Sequence, residues 1–179
     1  TGKLVLLDLE KNIFYWDFLK SLTDKYEIEA LTVDRDGNLW LGANEGKIIH
    51  AVYDSSNQYY QIKKECNTTG RIRNLQFGDS VIWIASDEGV LSLNVTSEEL
   101  NELPELNHRL ETVSISDVLT DQQGYCWIGT SILGLYRYDP KTGELLDFKE
   151  RGKSQRIVGN GITSIYCDKN NNIWIGTYA

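Results

Sequence analysis

One tryptophan returns along this chain at a nearly fixed interval. Trp40, Trp83, Trp127 and Trp174 stand 43, 44 and 47 residues apart, each inside a similar stretch. Ala30 to Gly42 reads ALTVDRDGNLWLG, Ser116 to Gly129 reads SDVLTDQQGYCWIG, and Ile162 to Gly176 reads ITSIYCDKNNNIWIG. Ile72 to Ser86, IRNLQFGDSVIWIAS, is a worn copy. A unit that repeats every forty-odd residues cannot bury its apolar face alone and must stack on its neighbours. The local content of one unit therefore fixes the whole architecture.

That content is strand-like. Each copy starts with an alternating run, such as Leu31-Thr32-Val33 or Ile162-Thr163-Ser164-Ile165. A polar turn follows: Asp34-Arg35-Asp36-Gly37, Asp121-Gln122-Gln123-Gly124 or Asp168-Lys169-Asn170-Asn171. In three copies the leading Asp stands six residues before the Trp. Its carboxylate is placed to accept local backbone N–H groups, and Gly or Asn at the turn tolerates positive φ. The Trp strand ends in a small pair, Gly42-Ala43, Ala85-Ser86, Gly129-Thr130 or Gly176-Thr177, which predicts close packing of adjacent sheets. Third strands are expected at Lys47 to Tyr53, Val90 to Asn94 and Leu135 to Tyr138. Fourth strands are expected at Gln58 to Lys63, Asn101 to Glu105 and Leu145 to Lys149. Four strands per repeat at this period is the β-propeller blade. The fold class is all-β, a β-propeller fragment of four-stranded antiparallel blades built from about four repeats of 43–47 residues. Read as one propeller arc over 1–179, it divides into a half-blade 1–18, blades about 30–63, 72–105 and 114–150, and a half-blade 162–179. Helical turns are expected only at Lys20 to Tyr26 and Ser97 to Leu103. Trp40, Trp127 and Trp174 are expected to be buried wedges between blades, not a platform for sugars or bases.

The 179 residues carry 18 basic and 26 acidic side chains, a net charge of −8. A surface that neutralises phosphates needs clustered Lys and Arg, so neither nucleic acid nor an anionic membrane is expected as a partner. No apolar run approaches the length of a membrane span. The absence of Met reads as the mark of a piece of a longer polypeptide. Cys66, Cys126 and Cys167 are too few for a disulfide scaffold and lack zinc-site spacing. Asp168, Asn170 and Asn172 resemble the start of a calcium loop, but Ile173 stands where the loop needs glycine, so the turn reading is preferred. No metal and no cofactor are expected. The sequons Asn67-Thr68-Thr69 and Asn94-Val95-Thr96 are read as accidental.

The string I-x-S-I-x-x-D-x-x-x-x-I-W-I-G-T, supplied by Ile162 to Thr177, is specific. So is the passage from Trp127-Ile128-Gly129-Thr130 to Gly134-Leu135-Tyr136-Arg137-Tyr138-Asp139-Pro140. Together they resemble the two-component regulator propeller repeat. The second copy departs from that pattern, with Phe77-Gly78-Asp79 displacing the Asp and Ala85 replacing Gly. The resemblance implies a periplasmic input module of a hybrid two-component histidine kinase, of the kind typical of gut Bacteroidetes, many of which respond to oligosaccharides. It also implies further blades, a β-sandwich, a membrane helix and a kinase elsewhere in such a protein. No H-box or nucleotide-binding pattern appears in this chain.

Three functions compete: ligand sensing, an enzyme like the streptogramin lyases, whose propeller repeats are similar, and a protein-interaction scaffold. A lyase needs a general base and usually a metal. His50, in a third strand, is read as filling a sheet face, and His108, in the Asn107-His108-Arg109 loop, as solvated. No catalytic residues are assigned, and sensing is preferred. A ligand would meet the loops from second to third strands and between blades. These supply Asn44, Glu45, Asp87 and Glu88, Ser131 and Ile132, with Thr69 to Asn74 and Arg156 to Asn160. The candidate ligand-binding residues are Arg71, Arg73, Asn74, Asn44, Glu45, Asp87, Arg156 and Asn160, the Arg forks suiting sugar hydroxyls or a uronate carboxylate. Tyr59, Tyr60 and Tyr15 with Trp16 are read as blade surface or a partner contact. The head, Thr1 to Asp8, parallels a third strand, and the tail ends on a second strand. Their open edges are expected to be covered by the remaining blades of the same polypeptide or by a second copy.

Overall fold

Asp34, Asp121 and Asp168 shape the hairpins that carry three of the four repeated tryptophans. In each, one carboxylate oxygen accepts the backbone N–H groups two and four residues on. The distances are 3.0 and 2.9 Å for Asp36 and Asn38, 2.9 and 3.0 Å for Gln123 and Tyr125, and 2.9 Å twice for Asn170 and Asn172. The chain then reverses through Gly37 (φ 81), Gly124 (φ 87) or Asn171 (φ 62), left-handed positions that these residue types reach cheaply. The second copy has no such Asp and turns through Asp79 (φ 61) instead.

A computed structural model describes residues 4–15, 24–56, 59–111, 113–148, 159 and 161–178. The strands are β1 (Leu6–Asp8), β2 (Ile13–Tyr15), β3 (Ile28–Val33), β4 (Leu39–Ala43), β5 (Lys47–Asp54) and β6 (Tyr59–Asn67). They continue as β7 (Ile72–Gly78), β8 (Val81–Ser86), β9 (Gly89–Asn94), β10 (Leu100–Glu102), β11 (Ile115–Thr120) and β12 (Cys126–Thr130). The last are β13 (Leu135–Tyr138), β14 (Leu145–Asp147), β15 (Ile162–Cys167) and β16 (Ile173–Thr177). Sheets β3-β4-β5-β6, β7-β8-β9-β10 and β11-β12-β13-β14 are four-stranded, while β1-β2 and β15-β16 are two-stranded. Every registered pair is antiparallel. The fold is all-β, made of propeller blades.

The chain forms two compact units, Thr1–Ile72 and Arg73–Ala179. In the first, Leu39, Leu41, Ala43, Ile49 and Ala51 form a core against which Leu4, Tyr26, Ile28 and Tyr60 pack. In the second, the outer face of one sheet meets the next. Trp83, Ala85, Val90, Ile115, Val118, Cys126, Ile128 and Tyr136 make one core, and Leu135, Ile162 and Ile165 another. β12 lies between these two cores, which is why it is buried along nearly its whole length.

A register irregularity recurs near the start of the first strand, between Ile28 and Ala30, Ile115 and Asp117, and Ile162 and Ser164. Such a bulge bends the strand and re-aims one side chain. The small residues that end the Trp strands have a direct cause. A Cβ on Gly42 would lie 2.6 Å from Ile72 Cγ2, and one on Gly129 2.6 Å from Ile162 Cγ2. The next repeat's leading isoleucine occupies that space.

Several boundaries differ from the sequence expectation. Ser97 to Leu103 is not helical; the helix is α1 (Pro104–Arg109), because Pro104 suits a first turn and Leu106 and Leu110 then enter the core. The fourth strand before it stops at Glu102. His108 accordingly sits on that helix, not in a loop. β6 runs on to Asn67, beyond Lys63. Of Lys20 to Tyr26, residues 20–23 lie outside the described residues, and the rest shows no helix. Trp40 and Trp83 are buried, but Trp127 is half-buried and Trp174 is 62% exposed. β16 hydrogen-bonds β15 alone, and no further repeat covers its outer face among the described residues. Burial of this indole depends on that cover.

Candidate functional site

The polar residues singled out from the sequence are drawn into pairs. In the second unit, Arg73 and Asn74 lie on β7, not in a loop, since pairing begins at Ile72. Arg73 grips Asp87 with both arms of its fork, Nε to Oδ1 at 2.8 Å and a terminal nitrogen to Oδ2 at 3.1 Å. Ser114 Oγ donates to the same Oδ1 at 2.9 Å. Asn74 Nδ2 donates to Oδ1 of Asp117, which also accepts the Val118 N–H at 2.9 Å. The other oxygen of Asp117 accepts the Ile165 N–H at 2.6 Å. Asp117 thus ties together the first strands of three successive repeats. Its burial pushes the carboxyl above the usual carboxylate range, against the pull of these hydrogen bonds.

In the first unit, Arg71 Nε donates to Glu29 at 2.5 Å. Asn44 and Glu45 lie on a one-turn 3-10 segment, with Glu45 exposed at φ 60 and the Asn44 N–H donated to Glu27 at 2.9 Å. Arg156 and Asn160 lie outside the described residues.

Asp117, Ser114 and Glu29 were not anticipated as partners. A signal for Asp117 exists: it stands two residues after Ile115, as Asn74 follows Ile72 and Ser164 follows Ile162, a polar position inside an otherwise apolar strand.

The aromatic residues read as blade surface, Tyr15, Tyr59 and Tyr60, come together with Tyr53. Tyr15, Tyr53, Tyr59 and Tyr60, with Leu6, Asp8 and Lys11, line a cavity of about 160 Å³ in the first unit. Hairpin β1–β2 supplies one wall and hairpin β5–β6 the other. The Tyr53 and Tyr60 rings sit 5.1 Å apart at 56°. Gln61 Nε2 donates to the Tyr59 hydroxyl and to Asp54 Oδ2, each at 2.9 Å. Asp8 and Lys11 pair at 3.2 Å on the rim. Burial, and then the neighbouring Tyr53, raises the Tyr60 phenol. Trp16 lies outside the described residues. Such a wall presents part-exposed ring faces beside a cation and a carboxylate, an arrangement suited to binding a polyhydroxylated molecule.

His50 fills a sheet face, as its third-strand position indicated. It is buried and stacks on Trp40 with ring centroids 3.9 Å apart. Asp168, the lead residue of the calcium-like string, turns both oxygens toward N–H donors, including Asn172 Nδ2 at 3.0 Å. Among the described residues no three His, Cys, Asp or Glu side chains gather into a group that would hold a metal ion. Among them, too, no helix is long and apolar enough to cross a membrane.

Residues 157–179 match the family model for the two-component regulator propeller. The resemblance read from the repeat is borne out over that segment. No match was found among curated proteins. Among solved structures, the extracellular domain of BT4673 from B. thetaiotaomicron is similar in two separate determinations, one described as a putative one component system and the other as a putative hybrid two component system. The identities are 20% and 19%, each with a TM-score of 0.71, covering 98% of this chain and 24% of that one. The chain thus spans about a quarter of that domain's length. The WD40 β-propeller domain of Doa1 is similar over 84% of this chain and 48% of its own, at 13% identity and a TM-score of 0.64. The computationally designed Ika4 protein is similar over 87% and 93%, at 15% identity and a TM-score of 0.59. At these identities the shared property is the propeller fold.

Proposed function

We propose that this chain is a non-enzymatic, ligand-sensing input module, part of the extracytoplasmic region of a hybrid two-component sensor kinase, and that its ligand is an oligosaccharide. The observation that carries the reading is the regulator propeller repeat at residues 157–179, set on blade hairpins whose turn and Trp are built alike in three copies. A periplasmic location follows from the same assignment. The extracellular origin of BT4673 supports it by analogy of fold alone.

Within the chain, the tyrosine cavity is the better sugar contact. Arg73 and Asn74 are already engaged by Asp87 and Asp117, and a ligand would have to displace those partners. Arg71 is likewise engaged by Glu29, while Asn44, Glu45 and the segment holding Arg156 and Asn160 remain contacts for a ligand that reaches the loops.

Thermal shift and calorimetry against a panel of neutral and uronate-bearing oligosaccharides test this. A binder should raise the melting temperature, because it favours the folded state. Tyr59→Ala should weaken binding about tenfold, the loss of one stacked ring contact. Stabilisation by no saccharide removes the oligosaccharide reading. Binding that survives Tyr59→Ala and Tyr53→Ala but not Glu45→Ala moves the site to the loops.

A further inference from the structure

Asp8 carries a charge that its turn does not need. Its Oδ1 accepts the Glu10 and Lys11 N–H groups at 3.0 Å and so shapes the reversal between β1 and β2. The turns after β5, β9 and β13 are built in the same way. Asp54 accepts the Ser56 N–H at 2.9 Å, Asn94 those of Thr96 and Ser97 at 2.9 Å, and Asp139 that of Lys141 at 2.8 Å. Asn94 shows that an amide oxygen serves such a turn as a carboxylate oxygen does. The turn therefore accounts for one oxygen of Asp8 and leaves its charge unexplained.

The other oxygen, Oδ2, meets Lys11 Nζ at 3.2 Å, and both side chains line the tyrosine cavity. Leu6, Asp8 and Tyr15 share one face of the hairpin, with Tyr15 opposite Leu6 and Leu7 turned to the other side by strand alternation. Hydrogen bonds from the Lys11 backbone and ammonium hold the Asp8 carboxyl below the usual carboxylate range, and Asp8, then Tyr15, hold the Lys11 ammonium above its own. Both are therefore charged at neutral pH, and among the residues lining the cavity they are the only charged pair. Adjacent hydroxyls of a sugar ring both donate and accept. One can donate to Asp8 Oδ2 while its neighbour accepts from Lys11 Nζ, and the ion pair stays intact. A ligand carboxylate has no proton to give Asp8, meets a like charge there, and reaches Lys11 only by drawing it off its partner. On the facing wall Gln61 Nε2 donates to the Tyr59 hydroxyl, whose own proton is left for a sugar oxygen, and the same amide holds a further carboxylate, Asp54.

We propose that Asp8 sets the specificity of the tyrosine cavity: paired with Lys11, it takes adjacent hydroxyls of a neutral sugar residue and excludes a uronate. The inference rests on the oligosaccharide reading given above and deepens it by naming the class of saccharide, neutral and not acidic.

Calorimetry on matched tetrasaccharides tests it. Oligogalacturonate, oligoglucuronate and oligomannuronate are each set beside their carboxyl-reduced, neutral counterparts, so that the members of a pair differ only in the charged group. The chain should bind a neutral member about tenfold or more tightly than its acid. Asp8→Asn, which keeps the turn as Asn94 does, should weaken the neutral member about tenfold and tighten the acid, closing the gap with unchanged circular dichroism. Lys11→Met should lower both affinities without narrowing the gap. An acid bound as tightly as its neutral counterpart overturns the inference and leaves the sensing of oligosaccharides standing. So does a gap that Asp8→Asn leaves unchanged. Binding of no member of any pair removes the oligosaccharide reading and this inference with it.

Discussion

Asp121 holds the indole of Trp127: its Oδ2 accepts the Nε1 hydrogen at 2.8 Å, six residues along the chain. Asp34 does the same for Trp40 and Asp168 for Trp174, both at 3.0 Å. The six-residue spacing is therefore a geometric requirement. One oxygen shapes the turn, and the other reaches over the hairpin to orient the ring on the strand that follows. An indole N–H facing a packed interface needs such a partner. A local turn is thus coupled to the packing between blades.

Replacing Asp121 with Ala removes three donors' acceptor at once: the Gln123 and Tyr125 N–H groups and the Trp127 indole. The expected loss is about 1–3 kcal/mol, the cost of leaving such groups unpaired. The urea midpoint should fall without a change in slope. Asp121→Asn should recover only part, because its amide nitrogen cannot accept the indole proton. A midpoint unchanged in both variants would show that the turn needs no carboxylate.

Gly129→Ala places a methyl 2.6 Å from Ile162 Cγ2 and should destabilise by about 1–3 kcal/mol through overpacking. Gly124→Ala meets nothing within 4 Å but sits at φ 87, so its cost is conformational, about 1–2 kcal/mol. Ile162→Ala in the Gly129→Ala background separates the two causes. It should show favourable coupling with Gly129→Ala and none with Gly124→Ala.

The turns, the Trp strands and the third strands were legible because their causes are local. Asp, Gly and Asn announce a reversal, and the third strand at Leu135 ends at Tyr138, as the pattern indicated. The candidate site was not legible in that way. Arg73 and Asp87 are 14 residues apart and Asn74 and Asp117 are 43 apart, so each pairing depends on how strands or whole repeats register. Polarity alone singled these residues out, and it does not say that Arg73 and Asn74, on a first strand, find partners within the protein. The tyrosine cavity was hidden likewise, because β1–β2 and β5–β6 supply its walls from distant segments. Pro104 with Leu106 and Leu110 did announce a helix, but the repeat pattern pointed to a strand there.

The tryptophans should separate by burial. Trp40→Ala should cost about 3–5 kcal/mol, the usual loss on emptying a buried aromatic site. Trp174→Ala should cost below about 1 kcal/mol, as surface changes do. Trp127→Ala should fall between. Chemical denaturation of the three variants ranks them, and equal losses at Trp40 and Trp174 would contradict the exposure of Trp174.

Acid should act on the Asp–Trp turns before it acts on the strands. Hydrogen bonds from the Trp174 indole and then from Asn172 hold the Asp168 carboxyl down to about 2, from an ordinary 3.8. Asp34 is also lowered: burial opposes ionisation there, and the bonds from Trp40 and Asn38 outweigh it. A carboxyl whose folded pKa lies below its unfolded value stabilises fully above the unfolded value, and that contribution fades as pH falls toward the folded one. For Asp168 the window runs from just under 4 down to about 2. Asp117 has the opposite sign. Its burial raises the folded pKa, so as pH falls through that value the folded state gains relative to the unfolded chain. Carboxyl-carbon NMR titration should show Asp168 titrating near 2, accompanied by a shift of the Trp174 indole N–H. Asp117 should titrate above the exposed carboxylates. Asp168→Asn should abolish the indole shift in that window, and an indole signal that instead follows the exposed aspartates would break the link between turn and ring.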